Sequence, residues 1–145
     1  MLNMHLTPEQ EISLVEAIGE AERHTSGEIK VHFELNVPKG DAVKRAQEVF
    51  ATLRMHETAE RNGILIYIAT EDRRFAVWGD EGIHQKVGDA FWQNLAASLS
   101  AAFKSEQYLQ GLRQAVVEVG KQLGTFFPRR DDDRNELSDG ISYGG

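Results

Sequence analysis

The sequence predicts an α/β domain with three layers, in which helices cover both faces of a mixed β-sheet. Apolar and polar residues alternate over 28–37, the pattern of a strand with one apolar face. The run from Ile64 to Ala69 is apolar on both faces, which is typical of a central, covered strand. A tight turn then leads into a third strand at 74–78, so these last two strands form an antiparallel hairpin. Because a helical segment separates the first two strands, they pair in parallel, and the sheet is mixed.

The helical segments are recognised by their periodicity and by their end signals. Thr7 and Gln10 have the spacing of a capping box at the start of the first helix. Asp41 is the predicted N-cap of the helix between the first two strands. A long amphipathic helix follows the hairpin, and a last helix is predicted to be capped by Ser105 and ended by Pro128. The predicted buried stripe of the first helix consists of Ile12, Val15 and Ile18.

The length of 145 residues fits one domain, and no repeat or linker divides the chain. We expect residues 1–128 to form the domain and residues 129–145 to form a polar C-terminal tail that adds little to the core. Leu137, Ile141 and Tyr143 are the residues expected to dock this tail. This tail contains an acidic run, 131–136, whose first ligand positions are similar to those of an EF-hand loop. Glu136 stands where that loop needs glycine, which favours a solvated tail.

Composition excludes several classes of function. The chain has no cysteine, and therefore no disulfide or thiolate metal site. Its net charge of −7 argues against nucleic acid as a partner. No apolar run approaches the length of a membrane span and no signal peptide is visible, so we expect a cytoplasmic protein without membrane insertion. Motifs for nucleotide binding, serine hydrolysis and zinc proteolysis are absent from the sequence, and His32 is expected to be a solvated residue on a polar strand face.

The residues most able to carry chemistry converge through the predicted topology. The acidic loop after the hairpin holds Asp80 and Glu81, and antiparallel pairing brings it beside Asn62. Parallel pairing places Glu28 at the same edge, and Asp89 is expected nearby. Four carboxylates and an amide could together bind Ca²⁺ or Mg²⁺ weakly. The alternative is a solvated turn whose carboxylates favour a helix N-terminus, with the acids neutralised by Arg61.

Several segments resemble the TPM domain family in their residues, order and spacing. The family takes its name from thylakoid-lumen, photosystem-repair and receptor-modulator members. The similarity covers nearly the whole chain. The residues that carry it are Ser26 to Ile29, Arg61 to Ala69, Arg74 to Val77, Gly79 to His84, Val87, Phe103, Lys104, Tyr108, Gly111, Leu112, Gly120, Phe127, Pro128, Asp133 and Asn135 to Leu137. The resemblance implies an α/β/α sandwich with about four strands, a divalent-metal site, and the phosphatase activity attributed to plant relatives.

Two positions depart from the family pattern. Arg61 and His84 stand where relatives often carry acidic residues, whereas Asp89 matches an aspartate of the family. The first hypothesis is therefore a domain that binds a divalent cation or a partner at the sheet edge, with Arg61, Asn62 and His84 available to an anion or partner. The alternative is a metal-dependent acid phosphatase, in which Arg61 contacts phosphate, Asp80 or Asp89 holds the metal and His84 is a general acid.

Overall fold

The computed structural model describes residues 6–129 and 140–144. It contains five α-helices, four strands and two single-turn 3-10 helices at Pro38–Gly40 and Met55–Glu57. In chain order the main elements are α1 (Pro8–Glu22), β1 (Glu28–Glu34), α2 (Ala42–Thr52), β2 (Gly63–Ala69), β3 (Arg74–Gly79), α3 (Glu81–His84), α4 (Asp89–Lys104), α5 (Tyr108–Phe126) and β4 (Ile141–Tyr143). The short α3 was not expected from the sequence.

The four strands form one mixed sheet in the order β3-β2-β1-β4. β1 is parallel to both of its neighbours, β2 and β4, and β2 is antiparallel to β3. The predicted parallel crossover and hairpin are therefore confirmed. All seven residues of β2 are buried, as the apolar character of its two faces predicts.

Helices lie on both faces of the sheet and bury two separate cores. The larger core contains Leu14, Leu99 and Val116 from α1, α4 and α5, packed on Ile29 and Ile64 of the sheet. On the opposite face, α2 packs against β2 and β3. The three-layer α/β/α sandwich predicted from the sequence is thus confirmed. None of the helices in the described ranges is both long enough and apolar enough to cross a lipid bilayer.

Two of the three predicted helix caps are confirmed. Thr7 accepts a hydrogen bond from the Gln10 amide and completes the capping box, and Asp41 caps α2 through the amide of Lys44. The prediction for Ser105 is wrong. Its hydroxyl donates to the carbonyl oxygens of Ala101 and Ala102 at the end of α4, and α5 begins only after Gln107.

The buried face of α1 also differs from the prediction. Ile12 is 60% exposed, and the buried residues of the helix are Leu14, Ile18 and Glu22. These three residues follow a spacing of four and form one stripe along the helix. The rotation of α1 is set by its contact with α5, where a Cβ at Gly120 would lie 2.8 Å from the Cβ of Ala21. The close approach of these two helices turns Ile12 away from the core.

The C-terminal segment contributes more than the sequence suggested. Residues 141–143 form β4, which pairs with β1 at the edge of the sheet, and Ile141 is 6% exposed and part of the larger core. The expected docking of Ile141 is therefore confirmed, whereas the expectation that the tail adds little to the core does not hold for this residue. The acidic run 131–136 and Leu137, which we expected to help dock the tail, lie outside the described residues.

We predict that Ile141→Ala lowers the free energy of unfolding by about 2–5 kcal/mol, the usual loss when a buried isoleucine is truncated. Urea unfolding followed by circular dichroism measures this change. Ile12→Ala is the matched control, because the same truncation at an exposed position should change stability by less than about 0.5 kcal/mol. Equal and small losses in the two variants would show that β4 is not part of the stable core.

Candidate functional site

The starts of β1 and β2 and the end of β3 meet at one edge of the sheet. Glu28 lies opposite Gly63 in the β1–β2 register, and Gly79 lies opposite Ile64 in the hairpin. The amide of Asp80 donates to the Gly63 carbonyl oxygen at 2.9 Å. We call this edge, made by Glu28, Asn62, Gly63 and Asp80, the rim. The structure thus brings together the backbone segments that the topology predicted.

Asp80 is buried and forms an ion pair at the rim with the partly exposed Arg61. Nε and Nη2 of Arg61 donate to the two carboxylate oxygens of Asp80 at 2.7 and 2.9 Å. One of these oxygens also accepts the Glu81 amide at 2.8 Å and so caps α3. Arg61 therefore neutralises Asp80, which is the alternative that the sequence left open.

The pairing of Arg61 with Asp80 depends on a close backbone contact. The Gly82 amide donates to the Arg61 carbonyl oxygen at 2.8 Å. A Cβ at position 82 would overlap the carbonyl oxygens of Glu60 and Arg61, so only glycine allows α3 to approach this closely. Arg61 itself has a φ of 53°, in the left-handed region.

Two buried carboxyl groups, of Glu22 and Glu28, meet where α1 ends and β1 begins. Glu22 at the end of α1 accepts the Ile29 amide at 2.7 Å and is hydrogen-bonded to Glu28. Burial is the main reason that the pKa of Glu22 rises to about 8, and the neighbouring Glu28 adds to the rise against the Ile29 hydrogen bond. The pair therefore retains a proton at neutral pH.

Asn62 adds an oxygen atom to the buried part of the rim. Its side-chain amide donates to the Ser26 hydroxyl at 3.2 Å, and Ser26 donates to Glu60 at 2.8 Å. Asn62 is 1% exposed, and its Oδ1 has no hydrogen-bond donor among the residues that the structure describes. Buried oxygens of this kind are rarely left without a donor, a water or an ion.

The remaining predicted residues lie at the surface. Glu81 is 3.6 Å from Nη1 of Arg61, with its side chain 63% exposed, and Asp89 is the exposed first residue of α4. The ring of His84 stacks on Trp92 with a centroid distance of 6.2 Å. Within residues 6–129 and 140–144, no group of three or more histidine, aspartate or glutamate side chains is arranged to hold a metal ion. Glu28, Asp80, Glu81 and Asp89 thus do not form one ready-made set of four ligands.

Sequence reasoning missed the role of Glu22. It lies on the same stripe as Leu14 and Ile18, which marks it as an inward-facing acid once the correct face of α1 is known. The mixture of one carboxylate with an otherwise apolar stripe is the signal that could have identified it.

A second buried polar cluster, also missed, surrounds Glu34 at the other end of β1. Its carboxylate accepts hydrogen bonds from Nε and Nη2 of Arg45 at 2.8 and 3.0 Å, from the Tyr67 hydroxyl, and from Nε2 of His32 at 3.2 Å. The other ring nitrogen of His32 is 2.7 Å from the Ser142 hydroxyl on β4. His32 is buried, so the prediction of a solvated residue is wrong.

The charge states of this cluster follow from its geometry. Burial would raise the pKa of Glu34, but hydrogen bonds from Arg45, Tyr67 and His32 outweigh it and lower that pKa to about 2. Burial lowers the pKa of His32, which favours the neutral ring. With Nε2–H donating to Glu34, Nδ1 accepts a hydrogen bond from the Ser142 hydroxyl. Because the carboxylate is fully occupied by donors, the cluster fastens strands and helix together. The available signal was the position of β1 in a parallel sheet covered on both faces, where polar residues must be buried.

Comparison with known proteins decides the family. The model of the TPM domain matches residues 4–122, which is most of the chain. The chain belongs to the TPM domain family. No protein with a curated description matches it.

Two solved structures are similar to this TPM domain. The BA42 protein from the psychrophilic bacterium Bizionia argentinensis is 40% identical with a TM-score of 0.90, and the match covers 99% of each chain. The N-terminal domain of the cg2496 protein from Corynebacterium glutamicum is 18% identical with a TM-score of 0.61, over 81% of this chain and 74% of that one. The second likeness concerns the fold alone.

We predict that Glu34→Gln lowers the free energy of unfolding of this TPM domain by about 3 kcal/mol at pH 7. This loss is at the low end of the range for removing one partner of a buried ion pair, because Arg45 is partly exposed. The wild type loses the Glu34 contribution as pH falls from about 4.5 to about 2, and the variant should lack that acid transition. Glu48→Gln, at a mostly exposed partner of the same arginine, is the control and should cost less than about 1 kcal/mol.

We also predict that this TPM domain becomes less stable as pH rises, because Glu22 then loses its proton. The pKa of Glu22 is raised in the folded state, so its contribution is complete below about pH 4.5 and is lost by about pH 8. The slope is about 1.4 kcal/mol per pH unit for one proton. Glu22→Gln keeps an acceptor for Ile29 without titrating and should abolish the slope, measured by urea unfolding with chelator present. Glu20→Gln, on the exposed side of α1, should retain it.

Proposed function

We propose that this TPM domain binds a divalent cation, Ca²⁺ or Mg²⁺, at the rim, with Glu28 as the central ligand. The observation that carries the proposal is that the neighbouring carboxyl groups of Glu22 and Glu28 are both buried. Two carboxyl groups forced together in a low-dielectric site repel each other when ionised, and a hard cation relieves that repulsion as a proton does. A cation would thus replace the shared proton.

The donor set at the rim suits a hard cation. Carboxylate and amide oxygens are the ligands that Ca²⁺ and Mg²⁺ prefer, and Asn62 Oδ1 is a buried oxygen for which no donor is found in the described part of the chain. When a cation binds, Glu22 would need to release its proton. The hydrogen bond that Glu22 accepts from the Ile29 amide would then persist or weaken. Because ligands must be deprotonated, cation binding should strengthen from pH 5.5 to pH 8.

Arg61 sets how many carboxylates the cation can use. In its present position it occupies both oxygens of Asp80 and lies close to Glu81. If Arg61 turned outward into solvent, Asp80 and Glu81 would become available at the mouth of the site. Asp89 is a more distant, exposed contributor of negative charge. Arg61 therefore competes with the cation and weakens its binding.

We expect cations to raise the melting temperature, because they bind the folded chain. For a dissociation constant of about 1 mM, about 10 mM Ca²⁺ or Mg²⁺ stabilises by about 1.4 kcal/mol, or about 3–6 °C at this size. Arg61→Asn should enlarge the shift by freeing Asp80, since asparagine tolerates the left-handed backbone. Arg54→Asn is the matched control, because Arg54 also has a positive φ and pairs with a glutamate, Glu57, away from the rim. Glu28→Gln should remove the shift.

Two outcomes would contradict this proposal. Absence of a shift at pH 8 in the native protein would rule out a divalent site. Mg²⁺-dependent turnover of p-nitrophenyl phosphate that is lost in Arg61→Asn would instead support hydrolysis of phosphate monoesters, as in the metal-dependent phosphatase hypothesis. The observation that favours hydrolysis is that Arg61 and His84 flank Asp80 and are both accessible. The ion pair between Arg61 and Asp80 favours cation binding over hydrolysis, because a guanidinium that is paired with Asp80 is not available to contact a phosphate.

A further inference from the structure

A cavity of about 260 Å³ lies at the end of the sheet opposite to the rim. It opens where β1 and β2 end, between the β2–β3 turn and the loop that joins α4 to α5. Ligands in open α/β sheets bind beyond the carboxyl ends of parallel strands, and this cavity occupies that position. β2 has seven residues, so the cavity and the rim are roughly 20 Å apart at about 3.3 Å per residue.

The inner wall of the cavity is apolar and mostly aromatic. Phe33 and Ile68 contribute from the sheet, and Phe75, Phe103 and Tyr108 surround them. The Phe75 and Phe103 rings meet edge to face at a centroid distance of 5.5 Å, and Phe103 and Tyr108 are tilted at the same distance. Such clusters accept a further aromatic ring through its face or its edge. The wall therefore favours a flat aromatic body.

The mouth of the cavity is cationic, although the whole chain carries a net charge of −7. Arg73, Arg74 and Lys104 line it, against a single carboxylate, Glu106. Arg74 is engaged with the Gly40 carbonyl oxygen at 2.6 Å. Across residues 6–129 and 140–144, no carboxylate forms an ion pair with Arg73 or Lys104. Two exposed cations beside an apolar cavity complement an anionic head group attached to an apolar body.

We propose that this cavity binds a small aromatic monocarboxylate, with the ring against Phe33, Phe75 and Phe103 and the carboxylate between Arg73 and Lys104. The cavity volume of about 260 Å³ is just below the usual range for ligand pockets, roughly 300–1,000 Å³, which restricts the occupant to a small molecule. The left-handed backbones of Arg73 and Glu106 hold the two loops that frame the mouth. This site is independent of cation binding at the rim.

The test is titration of the isotopically labelled full chain with 2-naphthoate, followed by amide chemical shifts at pH 7 with chelator present. We expect saturable shifts confined to the residues that line the cavity. Two ligands with the same ring system separate the contributions: 2-naphthamide keeps the ring without the charge, and 2-naphthylmethylammonium reverses the charge. We expect the amide to bind at least about tenfold more weakly than the carboxylate, and the ammonium ion more weakly still.

Variants assign the carboxylate contact. Arg73→Asn combined with Lys104→Gln should weaken 2-naphthoate at least about tenfold and leave 2-naphthamide unchanged. Arg54→Asn combined with Lys86→Gln removes the same charges at exposed positions elsewhere and should change neither ligand. Ser100→Leu, which fills the cavity, should abolish both ligands while the melting temperature confirms folding. The proposal is overturned if 2-naphthoate fails to saturate at millimolar concentration, if the ammonium ion binds equally well, or if the shifts map to the groove between α1 and α5.

Discussion

The buried carboxylate of Glu34 is the group on which the arrangement of the sheet depends. A charge in a covered sheet is costly unless every lone pair finds a donor. Here the donors come from α2, β2 and β1 itself, through Arg45, Tyr67 and His32. His32 extends the network to Ser142 on β4. Glu34 therefore holds α2 and β2 to β1 directly, and holds β4 to β1 through His32.

The two ends of β1 and β2 have opposite electrostatic character. At the start of these strands, Glu22 and Glu28 share a buried proton and Arg61 neutralises Asp80. At their ends, cations surround an aromatic cavity. The same parallel pairing places both sites, because parallel strands begin at one edge and finish at the other. The sheet thus separates the two sites that we propose, one for a cation and one for an anion, within a chain whose net charge of −7 would suggest only the former.

The fold was predictable because its signals are local. The apolar run of β2 and the hairpin turn determine the sheet, and topology alone brought Glu28 and Asp80 to the same edge. The errors arose where tertiary contacts decide. The contact at Gly120 rotates α1 and turns Glu22 inward, and the cover over β1 buries His32. Neither effect is visible in the periodicity of a single element, since each depends on a partner distant in sequence.

The short β4 strand has a consequence for how the native molecule opens. Ser142 and His32 are 110 residues apart in sequence, whereas the β2–β3 hairpin and the β1–β2 crossover are far more local. β4 pairs with a single strand and through only three residues, so it has fewer backbone hydrogen bonds to lose than β1, β2 or β3. We therefore expect β4 to detach before the other three strands separate, in a partial opening of the kind that amide hydrogen exchange detects. Such an opening would expose the edge of β1. By covering that edge, β4 prevents β1 from pairing with a strand of another chain.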